Sequence, residues 1–231
     1  MLKLGILCYH EWMNTLIIGG TSGLGLELAK VLTANGDSVI VTGRKEINED
    51  IKFQKFDLSQ ERLAESIEAF VSELPVIDRL VYAAGYFQEG RVTDLSESEI
   101  EEMISVGGRG LIYFVRALLQ KQAELQELIT ITSTSQWTPR QKEPIYNFAK
   151  AGAAHFSNGI AEDGRVTKVL VIGPAGMKTE FWEGIDRADL DEMLDPKWVA
   201  EQIIELENGE YSYRSARILR QPARVEITET R

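Results

Sequence analysis

The sequence predicts an α/β fold, a doubly wound parallel sheet of about seven strands with helices on both faces. Short apolar runs rich in β-branched residues alternate with longer amphipathic stretches along the 231 residues. A glycine-rich turn follows the first run, and no repeat or linker interrupts the pattern. Strands that alternate with helices form a parallel sheet covered on both faces. The 44% hydrophobic content suffices to bury a core, so we expect a single domain.

The individual elements follow from local patterns of apolar residues. Seven runs predict strands, at 14–18, 38–43, 51–56, 78–85, 127–133, 166–173 and, as a short last strand, 216–221. Five amphipathic stretches predict helices, at 24–36, 59–74, 97–122, 145–162 and 196–207. Ser59 is the expected N-cap of the second helix. Gly107, Gly108 and Gly110 interrupt the third helix and predict a bend or a close approach to another element.

Composition and charge narrow the class of protein. Cys8 is the only cysteine, which excludes an internal disulfide and favours a reducing compartment such as the cytoplasm. No apolar run approaches the ~20 residues of a membrane helix. A net charge of -11 argues against broad binding to nucleic acid or anionic membranes, and the two His and one Cys predict no metal cluster. Residues 1–12 are interpreted as a disordered or adventitious leader before a domain at 13–231, with Met13 as the expected start.

The turn after the first strand has the composition of a phosphate-binding loop. Its sequence GGTSGLG places Gly19, Gly23 and Gly25 between a strand and a helix. Glycines there permit a tight turn and close approach of the backbone to a pyrophosphate, which the N-terminus of the next helix attracts. The alternative is a glycine-rich turn without a ligand. The strand before it and the helix after it favour dinucleotide binding.

The end of the second strand distinguishes between nicotinamide cofactors. An acidic residue there would bind the ribose 2′-hydroxyl of NAD, whereas a cation would accept the 2′-phosphate of NADP. The chain has Arg44 and Lys45 at this position and no carboxylate before Glu46. A guanidinium can hold a phosphate bidentately, although solvated loop cations are the simpler alternative. Asp57 follows the third strand and could bind an adenine amino group or cap the next helix.

In their order along the chain, these motifs resemble the short-chain dehydrogenase/reductase family, over Met13 to about Thr179. The matching positions are Gly19, Gly23 and Gly25; Ala83-Ala84-Gly85; Ser133; Tyr146 and Lys150; and Pro174, Ala175 and Thr179. Ala83 stands in the place of the Asn in the family's Asn-Ala-Gly motif. Ala175 stands in the place of the Gly in its Pro-Gly-x-x-x-Thr motif. Ser135 is too close in sequence to Tyr146 to match the family's Ser. By itself the Tyr-x-x-x-Lys spacing would show only that two side chains share a helix face.

The resemblance implies a Rossmann-type fold and a catalytic set of Ser133, Tyr146 and Lys150. Ser133 would hold the substrate carbonyl, Tyr146 would transfer the proton, and Lys150 would favour the phenolate and bind the nicotinamide ribose. NADP(H) is the expected cofactor, with NAD(H) as the alternative. The expected cofactor contacts are Gly19, Thr21, Ser22, Gly23, Leu24, Gly25, Arg44, Lys45, Asp57, Leu58, Ala83, Ala84, Gly85, Tyr146, Lys150, Pro174 and Thr179. Family members commonly pair through the helices equivalent to 97–122 and 145–162, which predicts a homodimer or homotetramer.

Several features leave the reaction open. Gly107 aligns with the Asn through which family members hold a relay water, and glycine has no such side chain. Trp137, Phe181, Trp182, Ile185 and Met193 are candidate pocket residues, with packing as the alternative for the first three. His155 is interpreted as a packing or solvent-exposed residue. The sequence favours an NADP(H)-dependent reductase of a small carbonyl compound. An NAD-linked alcohol dehydrogenase and a non-catalytic NADP(H)-sensing protein remain as alternatives.

Overall fold

A computed structural model describes residues 12–182 and 188–231, and these residues form one eight-stranded sheet in the order β3-β2-β1-β4-β5-β6-β7-β8. The strands are β1 Asn14–Ile18, β2 Ser38–Gly43, β3 Lys52–Lys55, β4 Arg79–Tyr82, β5 Leu125–Ile131, β6 Val166–Pro174, β7 Tyr213–Leu219 and β8 Arg224–Thr230. β1 to β7 are parallel, and β8 pairs antiparallel with β7. The parallel sheet is confirmed. β8 was not predicted because its charged residues keep it largely exposed at the sheet edge.

The helices cover both faces of the sheet, as expected for a doubly wound fold. They are α1 Gly23–Ala34, α2 Leu63–Ser72, α3 Glu97–Ile104, α4 Gly110–Lys121, α5 Pro144–Ile160 and α6 Pro196–Leu206, with a π-helical segment Ser105–Arg109 between α3 and α4. α1 and α6 pack on one core layer, and α2, α4 and α5 on the other. Within the described ranges, no helix is both long and apolar enough to cross a membrane. Residues 1–11 of the predicted leader lie outside the described residues.

The strands are buried on both faces because consecutive apolar side chains point to opposite core layers. Leu16 and Ile18 of β1 belong to the layer of α2, α4 and α5, whereas Ile17 belongs to the layer of α1 and α6. This arrangement explains why the runs are continuously apolar rather than alternating. The sequence identified β1 and β2 with their observed bounds for that reason.

The second helix begins later than the sequence predicts. α2 starts at Leu63, and its N-cap is Arg62 rather than Ser59. Ser59 instead donates from its backbone N–H and its hydroxyl to Asp57 Oδ1, at 2.9 and 2.8 Å. The predicted cap was therefore wrong, because the Asp57 side chain forms a local turn that competes with helix initiation.

The order of the strands reverses between β1 and β4, which places a crevice at their carboxyl ends. β2 and β3 extend the sheet on one side of β1, whereas β4 and the later strands extend it on the other. Ligands of open α/β sheets bind at such a reversal. The glycine turn after β1 lies there, beside residues 83–85 that follow β4.

A buried ionic cluster lies near the amino ends of the strands, on the side of the sheet away from the crevice. The guanidinium of Arg79, which is 2% exposed, donates to Asp37 and Glu127 at 2.5 Å each and to Glu207 at 3.0 Å. The cluster thus joins the start of β2, β4 and β5 to the end of α6. Burial, reinforced by the charge of Glu127, raises the pKa of Glu207 from 4.5 to about 8, although Arg79 acts against the rise.

This shift predicts how stability depends on pH. The pKa of Glu207 is higher in the folded than in the unfolded protein. The stability that Glu207 contributes is therefore fully present below pH 4.5 and is lost as pH rises toward 8. We expect the free energy of unfolding of Glu207→Gln to rise relative to that of the natural protein as pH increases. The relative gain from pH 5.5 to pH 8 should be about 1 kcal/mol or more. Urea denaturation at these two pH values measures the difference. Glu205→Gln, an exposed carboxylate on the same helix, is the control and should show no such gain.

Candidate active site

The turn between β1 and α1 is held by close backbone contacts. Gly19 has φ +82°, and a Cβ atom there would lie 2.7 Å from the backbone of Ala84. A Cβ atom at Gly25 would lie 2.1 Å from the carbonyl oxygen of Gly19. Ser22 at the N-cap of α1 makes no side-chain cap hydrogen bond, and the first turn carries no acidic residue. The positive end of the α1 dipole therefore faces the crevice with no carboxylate in the first turn of the helix, although Glu27, Glu180 and Asp191 line the cavity further out.

A cavity of about 540 Å³ lies against this turn. Thr21, Ser22 and Gly23 form one wall, and Thr179 and Leu190 from the segment after β6 form another. Thr179 packs directly on the turn, since its Cγ2 atom would be 3.3 Å from a Cβ atom at Gly23. The structure thus brings together the first and last of the predicted cofactor motifs. Leu24 is buried in the core beneath the turn, and Pro174 is buried at the end of β6.

The cations after β2 lie at the rim of the same crevice. The Arg44 side chain is 69% exposed, with a guanidinium nitrogen 3.9 Å from Glu102, and Lys45 is also exposed. Hydrogen bonding from the Ser59 backbone lowers the pKa of Asp57, and the charge of Arg44 contributes to this effect. Arg44 therefore lies near Asp57, whose carboxylate bonds Ser59 rather than capping α2. Leu58, the neighbouring predicted contact, is buried in the core.

The residues after β4 connect the glycine turn to Lys150. The backbone N–H of Ala83 donates to Ile18 at 2.9 Å, which continues the pairing of β4 with β1. Gly85 is exposed, and a Cβ atom there would lie 3.6 Å from Lys150 Nζ. The absence of a side chain at Gly85 therefore leaves space directly beside the lysine.

The predicted catalytic side chains converge at the carboxyl end of β5. Lys150 is 4% exposed, and its ammonium donates to the carbonyl oxygen of Ile131 at 3.2 Å. The same nitrogen lies 5.7 Å from the centre of the Tyr146 ring. Ser133 follows β5, and its hydroxyl is near enough to the Tyr146 phenol to lower the pKa of that group. The three residues thus lie on adjacent elements that face one crevice.

The electrostatics of the site differ from the sequence-based expectation. Burial raises the pKa of Tyr146 above its ordinary value of 10, although the hydrogen bond with Ser133 acts against the rise. Burial also lowers the pKa of Lys150 from 10.5 to about 8. For the protein chain by itself, the direction of the Tyr146 shift is therefore opposite to the one expected from a nearby ammonium, and the expectation for the site with oxidised nicotinamide stays a prediction. Desolvation outweighs the hydrogen bond with Ser133 and favours the protonated phenol.

An aromatic cluster covers the phenol. The Phe87 ring centre lies 5.1 Å from that of Tyr146 and 6.0 Å from that of Phe181. Trp182 packs on Phe181 at 5.1 Å, and its indole nitrogen donates to the carbonyl oxygen of Met177 at 2.9 Å. The predictions for Phe181 and Trp182 are consistent with this placement. Phe87 was not singled out, because nothing in its local sequence distinguishes it from a core residue.

The other candidate pocket residues lie elsewhere. Trp137 packs over Gly173 of β6, where a Cβ atom would lie 2.4 Å from its ring, and this contact supports the packing alternative. Met193 is buried against Gly176, whereas Ile185 lies outside the described residues. His155 is exposed on α5, as expected. Among residues 12–182 and 188–231, no group of three or more His, Cys, Asp or Glu side chains is arranged to hold a metal ion.

The glycines of the π-helical segment allow α5 to approach closely. A Cβ atom at Gly107 would lie 2.8 Å from that of Ala149, the residue before Lys150. A Cβ atom at Gly110 would lie 2.3 Å from the hydroxyl of Tyr82, which donates to the carbonyl oxygen of Val106 at 2.6 Å. The expected close approach is confirmed. The first contact thus brings α5 close to the π-helical segment, and the second brings the start of α4 close to β4.

A polar network beside Ser133 was also missed by sequence reasoning. It consists of Ser135, Arg140 and Glu143, with Thr134 at its edge. The spacing of Ser135 from Tyr146 argues against a match to the family's Ser and predicts no other role. The network contains no fixed motif spacing, so only the fold of the loop between β5 and α5 shows that these side chains meet.

The packing at Gly107 predicts opposite effects of two neighbouring substitutions. Gly107→Ala places a methyl group against Ala149, and we expect a loss of about 1–3 kcal/mol in the free energy of unfolding because α5 must shift. Gly108→Ala meets no atom within 4 Å and should be neutral or stabilising by up to about 1 kcal/mol, since alanine favours helix. Urea denaturation measures both. Equal effects of the two substitutions would contradict the packing described here.

Comparisons with known proteins agree with this architecture. A model of the short chain dehydrogenase family matches residues 13–189. An uncharacterized oxidoreductase of Staphylococcus saprophyticus is 27% identical, over 92% of this chain and 93% of its own. A short-chain dehydrogenase from Sphingobium yanoikuyae in complex with NADPH shares the fold with a TM-score of 0.72 and 20% identity, covering 84% of each chain. One from Burkholderia cenocepacia in complex with NADP has a TM-score of 0.74 and 21% identity, covering 86% of this chain and 91% of its own. The family match spans more than half of the sequence, and the chain belongs to the short chain dehydrogenase family.

Proposed function

We propose that this protein is an NADP(H)-dependent oxidoreductase that reduces a small carbonyl compound or oxidises the corresponding alcohol. The observation that carries the proposal is the convergence of Ser133, Tyr146 and Lys150 beside the crevice at the reversal of the strand order. The glycine turn lies at the same crevice, so a dinucleotide and a reacting group could meet there. Residues 13–231 would form the working domain.

The residues around the crevice fit a dinucleotide. The uncapped N-terminus of α1 and the close approach at Gly19 suit a pyrophosphate. The exposed guanidinium of Arg44 suits a 2′-phosphate, with Lys45 as a second cation. Two proteins of the same fold hold NADP or NADPH, which supports the assignment. The nicotinamide, when bound, supplies or accepts the hydride.

Each catalytic side chain has a role that follows from its surroundings. The raised pKa of Tyr146 keeps the phenol protonated, as a donor to a carbonyl oxygen requires. With its hydroxyl turned from Ser135 toward the substrate, Ser133 would donate to the same oxygen and hold it beside the phenol. The Lys150 ammonium, anchored on the Ile131 carbonyl, lies beside Gly85 and would bind ribose hydroxyls there. Together the three groups position and protonate the oxygen during reduction.

The aromatic cluster favours an apolar or aromatic substrate. Phe87, Phe181 and Trp182 form the surface nearest to Tyr146. Apolar walls with a few polar groups are typical of small-molecule sites. We therefore propose an apolar or aromatic ketone or aldehyde as the substrate class.

The exposed faces of α4 and α5 favour self-association. Ile112 is 40% exposed, and it borders a groove with the partly buried Phe156 and Ile160. A patch of this kind can be self-complementary under two-fold symmetry. We propose a homodimer or homotetramer that uses this surface.

A non-catalytic NADP(H)-sensing protein is the second candidate function. It is favoured by Gly107, which has neither a polar side chain nor room for one against Ala149, and by Ala83 in the place of an Asn. Such a protein would bind NADPH without consuming it. A broad panel of carbonyl compounds, followed by nicotinamide absorbance, separates the two functions.

The cofactor assignment predicts the effect of Arg44→Ala. Loss of a charge-assisted phosphate contact should weaken NADPH binding by about 10- to 100-fold and leave NADH binding nearly unchanged, because only NADPH carries the 2′-phosphate. Fluorescence titration with both cofactors measures the ratio. Lys52→Ala removes an equal charge at the amino end of β3, away from the crevice, and serves as the control. Equal losses for both cofactors in Arg44→Ala would point instead to an NAD-linked enzyme or a structural role.

The acid–base assignment predicts the effect of Tyr146→Phe. This change keeps the ring that packs on Phe87 and removes only the hydroxyl. We expect turnover to fall by at least ~10²-fold while NADPH affinity and stability persist. Steady-state kinetics on a substrate from the panel measures the loss, with Tyr113→Phe on α4 as the control. Near-normal turnover in Tyr146→Phe would refute the assignment.

A further inference from the structure

A chain of hydroxyl groups continues from Ser133 away from the crevice. The Ser133 hydroxyl donates to Ser135 Oγ at 3.1 Å, and the Ser135 hydroxyl donates to Glu143 Oε2 at 3.0 Å. The backbone N–H of Ser135 also donates to Ser133 Oγ at 3.1 Å. Ser135 is only 4% exposed, so this chain runs through the interior of the loop between β5 and α5.

The outer end of the chain reaches solvent. Arg140 donates to Glu143 Oε2 at 3.1 Å and to Thr134 Oγ1 at 3.2 Å, and it also bonds Ser135. The side chains of Arg140 and Glu143 are 39% and 15% exposed. Glu143 is thus held by a cation on one side and open to water on the other.

The inner end of the chain is the phenol of Tyr146. The aromatic rings of Phe87 and Phe181 cover this residue, and the Ser133 hydroxyl is near enough to it to lower its pKa. Glu143 precedes Tyr146 by three residues at the start of α5, which brings its carboxylate near the same group. The charge of Glu143 further raises the pKa of Tyr146, and that of Arg140 opposes the rise, so both charges act on the phenol.

We propose that Ser133, Ser135 and Glu143 form a proton path between the Tyr146 phenol and solvent, with Arg140 as the residue that positions it. The proposal rests on the oxidoreductase function and adds a route for the proton that Tyr146 exchanges with the substrate. Gly107 has no side chain to contribute to another route, and Ala149 lies close against it.

The transfer conserves protons at every step. In alcohol oxidation, Tyr146 passes its proton to Ser133, which passes its own to Ser135, which passes its own to the Glu143 carboxylate, and the phenolate takes up the hydroxyl proton of the alcohol. Each step breaks one O–H bond and forms one, and Glu143 then releases a proton to water. The observed donor directions are those of this outward transfer. Reduction uses the reverse sequence, with each hydroxyl rotated and the proton supplied by water.

A merely structural role for Glu143 predicts a different response to Glu143→Gln. The amide oxygen of glutamine can still accept from Ser135 and Arg140, so the loop and Ser133 stay in place. An amide at this position cannot take up and release the proton as a carboxylate does. Glu143→Gln therefore separates transfer of a proton from positioning of Ser135.

The experiment compares Glu143→Gln and Ser135→Ala with the natural protein under saturating NADPH and substrate. We expect kcat to fall by about tenfold in each, less than the ~10²-fold loss expected for a direct general acid, with NADPH affinity within about twofold of normal. Added acetate, a small proton carrier, should restore kcat in Glu143→Gln. The control is Glu89→Gln, which removes a neighbouring surface carboxylate paired with Lys142 at 3.3 Å and should keep normal kcat.

The outcomes are distinct. Normal kcat in Glu143→Gln or in Ser135→Ala overturns the proton path, as does a loss in Glu143→Gln that Glu89→Gln reproduces or that acetate does not relieve. The proposed function survives each of these results, because the natural protein still turns over. If the natural protein consumes no NADPH with any carbonyl compound, the proposed function fails and the proton path fails with it.

Discussion

The position of α5 against β5 and the π-helical segment is the constraint on which the site depends. Lys150 can be buried only because its ammonium reaches the Ile131 carbonyl at the end of β5. That reach requires α5 to lie close to the sheet, and the close contact of Gly107 with Ala149 allows it. π-Helical insertions often occur at functional sites, because an extra residue changes which groups face a neighbour. Here Gly107 of the π-helical segment has no side chain at the point where the segment meets Ala149 of α5.

The same packing determines the protonation states of the site. Tyr146 lies under aromatic rings, and Lys150 lies in the interior, so desolvation shifts both groups toward their neutral forms. A protonated phenol in an apolar setting can donate a proton but needs a route by which to regain it. The hydroxyl and carboxylate groups of the β5–α5 loop lie where such a route would run. In the proposed mechanism, burial and proton supply are therefore linked features of one loop.

The two ends of the strands differ: the amino ends carry a buried ionic cluster, and the carboxyl ends carry the candidate active site. At the amino ends of the strands, Arg79 is surrounded by the carboxylates of Asp37, Glu127 and Glu207 and joins four parts of the chain. A buried ion of this kind is costly to leave unpaired, so the cluster favours one arrangement of β4, β5 and α6. At the carboxyl ends, glycines and short side chains leave space instead. The same strands connect the ionic cluster to the candidate active site.

The sequence by itself determined the parallel sheet, the glycine turn and the order of the motifs, because these depend on local periodicity and on backbone requirements of single residues. β1 and β2 have the predicted bounds since their apolar runs are buried on both faces. β8, the start of α2 and the direction of the Tyr146 pKa were decided by the tertiary structure. Edge pairing, the competing turn at Asp57 and desolvation each depend on neighbours distant along the chain or on the local balance of hydrogen bonds. The meeting of Ser135, Arg140 and Glu143 likewise has no periodic signal, because the fold of an irregular loop brings these side chains together.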